Sequence, residues 1–196
     1  MSRPLHLHIY IVTFIATVVA FLVSSPLLAE EWQADVQDGG ALSASISTKA
    51  RSTAQSTSGR IALVCFPDRR AGVYVEAEIV QANRLSDFRF KDFEGPEAPY
   101  GEKELATLRL KSGDAAFVIT SSGAGWYIDG DTFNVSIALN DLAPKEKAKV
   151  FGALRGKLAA VEVSLREEKN PESTVTLTAL GSWDTTPLRK VLSECE

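Results

Sequence analysis

"RIALVCFPDRRAGVYVEAEIV" (residues 60–80) decides the fold class of this 196-residue chain. Arg60–Phe66 and Ala71–Val80 are apolar, β-branched runs, and "PDRR" between them carries the turn formers Pro67 and Asp68. Two such runs across a short polar spacer predict a β-hairpin. Within the first run, a period of two puts Ile61, Leu63 and Cys65 on one face.

The same grammar extends in both directions. Downstream, "SDFRFKDF" (86–93) alternates aromatic and charged residues, which predicts a strand with Phe88 and Phe90 inward and Arg89 and Lys91 outward. "GPEAPYGE" (95–102) is a Pro/Gly loop carrying Tyr100. "ELATLRLK" (104–111), "DAAFVITS" (114–121) and "WYIDGDTFNVSIAL" (126–139) are further strands, the last bent or paired around Asp129–Asp131. "LAAVEVSLRE" (158–167) and "STVTLTAL" (173–180) form another pair joined through "EKNPE". Helical spacing appears in "DLAPKEKAKVFGALRG" (141–156). There Pro144 opens the first turn, Val150, Phe151 and Leu154 form a stripe, and Gly156 supplies the stop. A last helix starts with Thr186 as N-cap and Pro187 behind it. Upstream, "ALSASIS" (41–47) alternates weakly, with Leu42, Ala44 and Ile46 on one face. "STKARSTAQSTSGR" (47–60) is small and polar and reads as a linker. The expected class is α+β: a mostly antiparallel sheet or sandwich with two short helices.

The N-terminus sets the compartment. Arg3 precedes an uninterrupted apolar run from Ile9 to Val23, followed by Ser24, Ser25, Pro26 and a cleavage point after Ala29. That order of regions is a secretory signal peptide. The expected organisation is a signal over 1–29, an N-terminal strand and polar linker over 30–59, and a β-rich domain over 60–196. The membrane enters only if the signal stays uncleaved, since Ile9–Ala29 is long enough to span. Cleavage removes one charged residue, Arg3, so the exported chain is more acidic than the whole sequence at −4. That balance, with no basic run, argues against nucleic acid as a partner. Both histidines, His6 and His8, lie in the signal. Their loss excludes Ser-His-Asp and Cys-His catalysis and imidazole-based zinc sites. No cofactor or metal is expected.

The two cysteines are the most specific signal. Cys65 faces the core by strand periodicity. Cys195 shares a helical stripe with Leu188, Val191 and Leu192. An exported chain with two inward cysteines pairs them, tying the C-terminal helix to an early strand. A redox couple or thiol nucleophile would need a CxxC spacing or a histidine.

Other constellations are weaker. Asp129 and Asp131 flank Gly130, a pair that could bind calcium but lacks the regular oxygen ligands and closing glutamate of such a loop; Asp-Gly is also a hairpin signal. "SSGAGWY" (121–127) matches neither G-x-S-x-G nor S-x-x-K, and its glycines fit a tight connection before Trp126. Tyr100, Trp126, Asp129 and Asp131 are the candidate binding-loop residues. Asn134 heads the sequon "NVS".

The order of features resembles a loose group of small bacterial envelope proteins. It includes the type VI secretion-associated VasI-like proteins, which show a similar strand cysteine and a terminal close running from glycine through leucine to cysteine. The matching residues are Leu63, Cys65, Gly181, Leu188, Val191, Leu192 and Cys195. The resemblance implies bacterial origin, a periplasmic address and a secretion-system role. Its matches are scaffold positions and bring no site. Export without these relatives means secretion. The expected function is a non-catalytic exported domain binding an envelope protein or a cell-wall glycan. The alternatives are an envelope hydrolase using the carboxylates of Asp129 and Asp131, and a membrane-anchored accessory protein of a secretion system.

Overall fold

The computed structural model describes residues 31–36, 40–67, 72–94 and 104–195. The stretch read as a signal and the Tyr100 loop lie outside the described residues. The central hairpin forms as its sequence dictates: β3 (Ser56–Phe66) pairs antiparallel with β4 (Gly72–Ile79) from Gly59↔Ile79 to Phe66↔Gly72. Ile61 to Cys65 are all buried: Ile61, Leu63 and Cys65 lie in the main core, while Ala62 and Val64 pack with Ala41 in a small cluster on the other face.

The polar stretch read as a linker is structured. β2 (Leu42–Arg51) and β3 run straight through it and pair from Leu42↔Cys65 to Arg51↔Ser56, leaving only Ser52–Gln55 as the turn. Ala44, Ile46, Thr48 and Ala50 point inward while Ser47, Lys49 and Arg51 point out. A half-buried strand needs only one apolar face, and small side chains supply it here. Trp32, just ahead of β1 (Gln33–Val36), joins the same core, so the N-terminal strands and the β-rich part share one interior.

The remaining strands are β5 (Ala106–Ser112), β6 (Ala115–Ser121), β7 (Ala124–Ile128), β8 (Thr132–Ala138), β9 (Leu158–Arg166) and β10 (Thr174–Leu180). The sheet order is β6-β5-β9-β10-β2-β3-β4-β8-β7, with β1 also on β2, and every strand-to-strand pairing is antiparallel. The edge of β2 is divided. β1 takes Leu42–Ser45, and β10 takes only Ala50 and Arg51, opposite Leu177 and Thr176. At this seam Thr48 Oγ1 donates to the Thr178 carbonyl (2.6 Å). The inner faces of both halves contribute to a single hydrophobic core.

The two helices close that core. α1 (Pro144–Arg155) packs on β5 and β9, and α2 (Thr186–Glu194) packs on β1, β2 and β3. Val150, Phe151 and Leu154 are the buried stripe of α1, as their spacing predicts. The cap of the last helix lies one residue earlier than expected, and the helix already includes Thr186. Thr185 holds the N-cap position, and its hydroxyl is engaged by the Arg155 and Gly156 carbonyls. Asp184 instead accepts from the Thr186 N–H (2.9 Å). Cys65 and Cys195 form a disulfide with Cα atoms 6.0 Å apart.

"SDFRFKDF" is a further correction. It is not a strand but a turn leading into a 3-10 segment, Phe90–Phe93. Phe88, Phe90 and Phe93 are all buried, and Phe90 packs on Phe133 at 4.8 Å between centroids. A strand would turn Phe93 to the face opposite Phe88 and Phe90, so a strand could not bury all three rings on one side. The buried Glu167 carboxylate holds this segment by accepting from the Arg89 N–H and the Ser173 hydroxyl, both at 2.9 Å. Among the described residues, no helix is long and apolar enough to cross a membrane.

Candidate functional site

Register places the outward side chains of β3, β4, β8 and β7 on a grid. One row across the strands is Ala62–Glu76–Ser136–Ala124. On one side lies Val64–Tyr74–Ala138, with Phe66 beyond it; on the other lies Arg60–Glu78–Asn134–Trp126. Small side chains in the middle rows leave a trough of about 320 Å³ lined by Phe66, Tyr74, Glu76, Ala124, Trp126 and Ser136. Phe66 meets Tyr74 edge to face at 6.0 Å and forms one wall. Trp126, 42% exposed, forms the other.

Trp126 is held there by its neighbour. A Cβ on Gly125 would lie 2.6 Å from Phe133 Cζ and 3.0 Å from Phe93 Cβ, so only glycine lets β7 lie this close to the aromatic core. The following turn carries Asp129 and Gly130, both at positive φ (50° and 80°), and returns the chain into β8.

Glu76 sits on the trough floor. Ser136 Oγ donates to its Oε1 (3.2 Å), and the Asn134 side chain also hydrogen-bonds the carboxyl. Burial, the dominant cause, pushes this carboxyl above its ordinary value of 4.5; the two hydrogen bonds and the more distant Arg60 pull it back in part. Arg60 itself is committed to Glu78, its Nε donating to Oε2 at 3.1 Å and its Nη2 closing an ion pair.

Of the residues singled out from sequence, Trp126 lines the trough. Asp129 and Asp131 do not. They occupy the turn beyond β7, where the Asp131 N–H donates to the Asp129 carbonyl (3.0 Å) and the Asp131 carbonyl accepts from Ala82 (2.7 Å). Among the described residues no group of three or more His, Cys, Asp or Glu could hold a metal ion. Asn134 is 6% exposed in mid-strand, so its sequon offers no accessible acceptor. Cys65 and Cys195 are buried in the scaffold as a disulfide.

Sequence reasoning missed Phe66, Tyr74, Glu76 and Ser136. The period-two alternation of "VYVEAE" (73–78) is the signal that could have placed Tyr74, Glu76 and Glu78 on one outward face. Only the strand order, however, brings Trp126 and Ser136 to them.

Two other grooves are less site-like. One follows the β2–β10 seam, lined by Lys49, Arg51, Thr176, Thr178 and Leu180; the other lies between β6 and α1, near Glu104, Glu146 and Lys149. Their charged groups are exposed. The outer face of β5, β9 and β10 is polar but internally satisfied, with Ser164 on Thr176 (3.2 Å) and Arg109 paired with Glu162. Comparison with protein-family models, curated proteins and solved structures finds no match to the chain.

Proposed function

We propose that this chain is a non-catalytic exported binding domain that seats a cell-wall glycan in the trough between Trp126 and Tyr74. The observation that carries the reading is the trough itself: aromatic walls, a floor of small residues, and a few convergent polar groups. Sugars present apolar ring faces that stack on aromatic side chains, while their hydroxyls donate to a carboxylate such as Glu76 and exchange hydrogen bonds with a hydroxyl such as that of Ser136. Binding is favoured over hydrolysis because a carboxylate mechanism needs two cooperating acids. Glu76 stands alone on the floor, Glu78 is engaged by Arg60, and the Asp129–Asp131 pair lies outside the trough. The signal sequence supports export, and the Cys65–Cys195 bond supports an oxidising compartment.

The test is calorimetric titration of the purified exported protein with soluble cell-wall glycan fragments. Saturable binding is expected, with affinity falling at least tenfold in Trp126→Ala while the circular dichroism spectrum is unchanged. The loss follows from the ~1.5–3 kcal/mol that burying a large apolar side chain contributes, about tenfold or more in affinity. No binding, or binding indifferent to Trp126→Ala and Tyr74→Ala, overturns the proposal.

A further inference from the structure

The trough holds a feature that a neutral sugar leaves unexplained. Glu76 is a partly buried carboxyl whose hydrogen-bond partners, Ser136 and Asn134, are neutral. Among the described residues the cation that acts on it is Arg60, one row away on β3, and its guanidinium is spent on Glu78. Among the described residues the floor therefore carries an acid without a counter-ion. Around it stand the rings of Phe66, Tyr74 and Trp126. Aromatic faces carry negative electrostatic potential and attract cations, most strongly where water is excluded. A desolvated carboxylate does the same, and leaving it unpaired is costly.

From these two observations together we infer that the trough selects a ligand bearing a cationic ammonium, seated on Glu76 between Trp126 and Tyr74. The inference rests on the glycan-binding reading of this same trough, and the ligand it names is a glycan with a free amino group. An acetylated amine offers neither charge to the carboxylate nor a cation to the rings. Protonated and acetylated forms of one sugar chain should therefore separate sharply. A quaternary ammonium shares the attraction to the rings but donates no hydrogen bond to Glu76, so the two sources of positive charge are also separable.

The experiment titrates the purified exported protein with three probes: a glucosamine oligomer, the N-acetylated oligomer of the same length, and tetramethylammonium. The glucosamine oligomer is expected to bind about tenfold more tightly than its acetylated counterpart, and more tightly than tetramethylammonium. Glu76→Gln should erase the tenfold preference, so that the glucosamine and acetylated oligomers bind alike at whatever affinity the rings retain. Trp126→Ala should weaken both oligomers. Four outcomes overturn the inference. If the acetylated oligomer binds as well as the free amine, and Trp126→Ala weakens it, the glycan reading survives and the ammonium inference fails. If the preference persists in Glu76→Gln, it comes from the overall negative charge of the chain. If tetramethylammonium matches the glucosamine oligomer, the rings alone select charge and the role given to Glu76 fails. If neither oligomer binds, both the inference and the glycan reading fall.

Discussion

Removing the disulfide should cost this domain a large share of its stability. Cys65 and Cys195 are separated by 130 positions, so their bond closes most of the 196-residue chain into one ring. In the chain-entropy model a ring of that size is worth about 5 kcal/mol, chiefly by restricting the unfolded ensemble. Whole domains are stable by only about 5–15 kcal/mol, so the effect is not marginal. For a chain of this length it corresponds to a fall in Tm of about 10–20 °C. The perturbation is the double variant Cys65→Ala/Cys195→Ala, because a single replacement strands a free thiol in the core. Urea unfolding is followed by tryptophan fluorescence. Trp32 and Trp183 lie edge to face at 6.2 Å in the interior and report on the packing around α2. The expected result is a lower midpoint together with a steeper denaturant dependence, since the unlinked chain exposes more surface when unfolded. Hydrogen exchange should rise first in α2, the element the bond fastens to β3. A double variant within about 1 kcal/mol of wild type would refute the entropic argument.

Gly125→Ala should destabilise by about 1–3 kcal/mol, the cost of overpacking, because its Cβ would sit 2.6 Å from the Phe133 ring; thermal melting reads this, and an unchanged Tm would contradict the close approach. Glu76→Gln should change the pH profile of stability with a defined sign. Burial raises the Glu76 carboxyl above 4.5, so the folded chain holds that proton more tightly than the unfolded one. The resulting stability is fully present below 4.5 and is lost as pH rises through the raised value. Urea midpoints measured across that window should decline less with rising pH in Glu76→Gln than in wild type, and parallel profiles would refute the assignment.

The scaffold was legible because it obeys local periodicities. The hairpin from Arg60 to Val80, the stripe of α1 and the inward positions of both cysteines follow from spacing alone, and the disulfide needed only the compartment in addition. Two stretches misled for opposite reasons. Residues 47–60 looked too polar to order, yet they pair with one another as β2 and β3, from Ser47↔Arg60 to Arg51↔Ser56, and that ladder satisfies the backbone regardless of side-chain polarity. "SDFRFKDF" looked like a strand because its rings alternate, yet a third ring at Phe93 and the pull of Glu167 on the Arg89 N–H turn the chain into a tighter path. The site was largely illegible because its residues come from four strands spanning positions 60 to 136. No local pattern shows that Ala62, Ala124 and Ser136 will lie together as the gap between large side chains.

That gap is mechanically tied to the disulfide. Phe66 follows Cys65 directly, and Gly72, the register partner of Phe66, places its carbonyl 3.8 Å from Cys195 Sγ. The end of the hairpin that carries Phe66 and Tyr74 is therefore clamped from the inner side by α2, while the two rings stand on the outer side. A binding wall built from a strand end would ordinarily fray, since terminal residues have fewer partners to order them. Fixing that end covalently holds the wall before any ligand arrives, and a wall already in place loses less entropy on binding. On this argument the bond has two consequences of different size. Its effect on global stability comes from the ring it closes and is large; its effect on the trough comes from a few residues at the hairpin end and is local. Hydrogen exchange in the double variant separates them, because protection of the Phe66–Gly72 pair should fall further than protection in the middle of β3. Equal loss along the whole strand would leave the clamp with no local role.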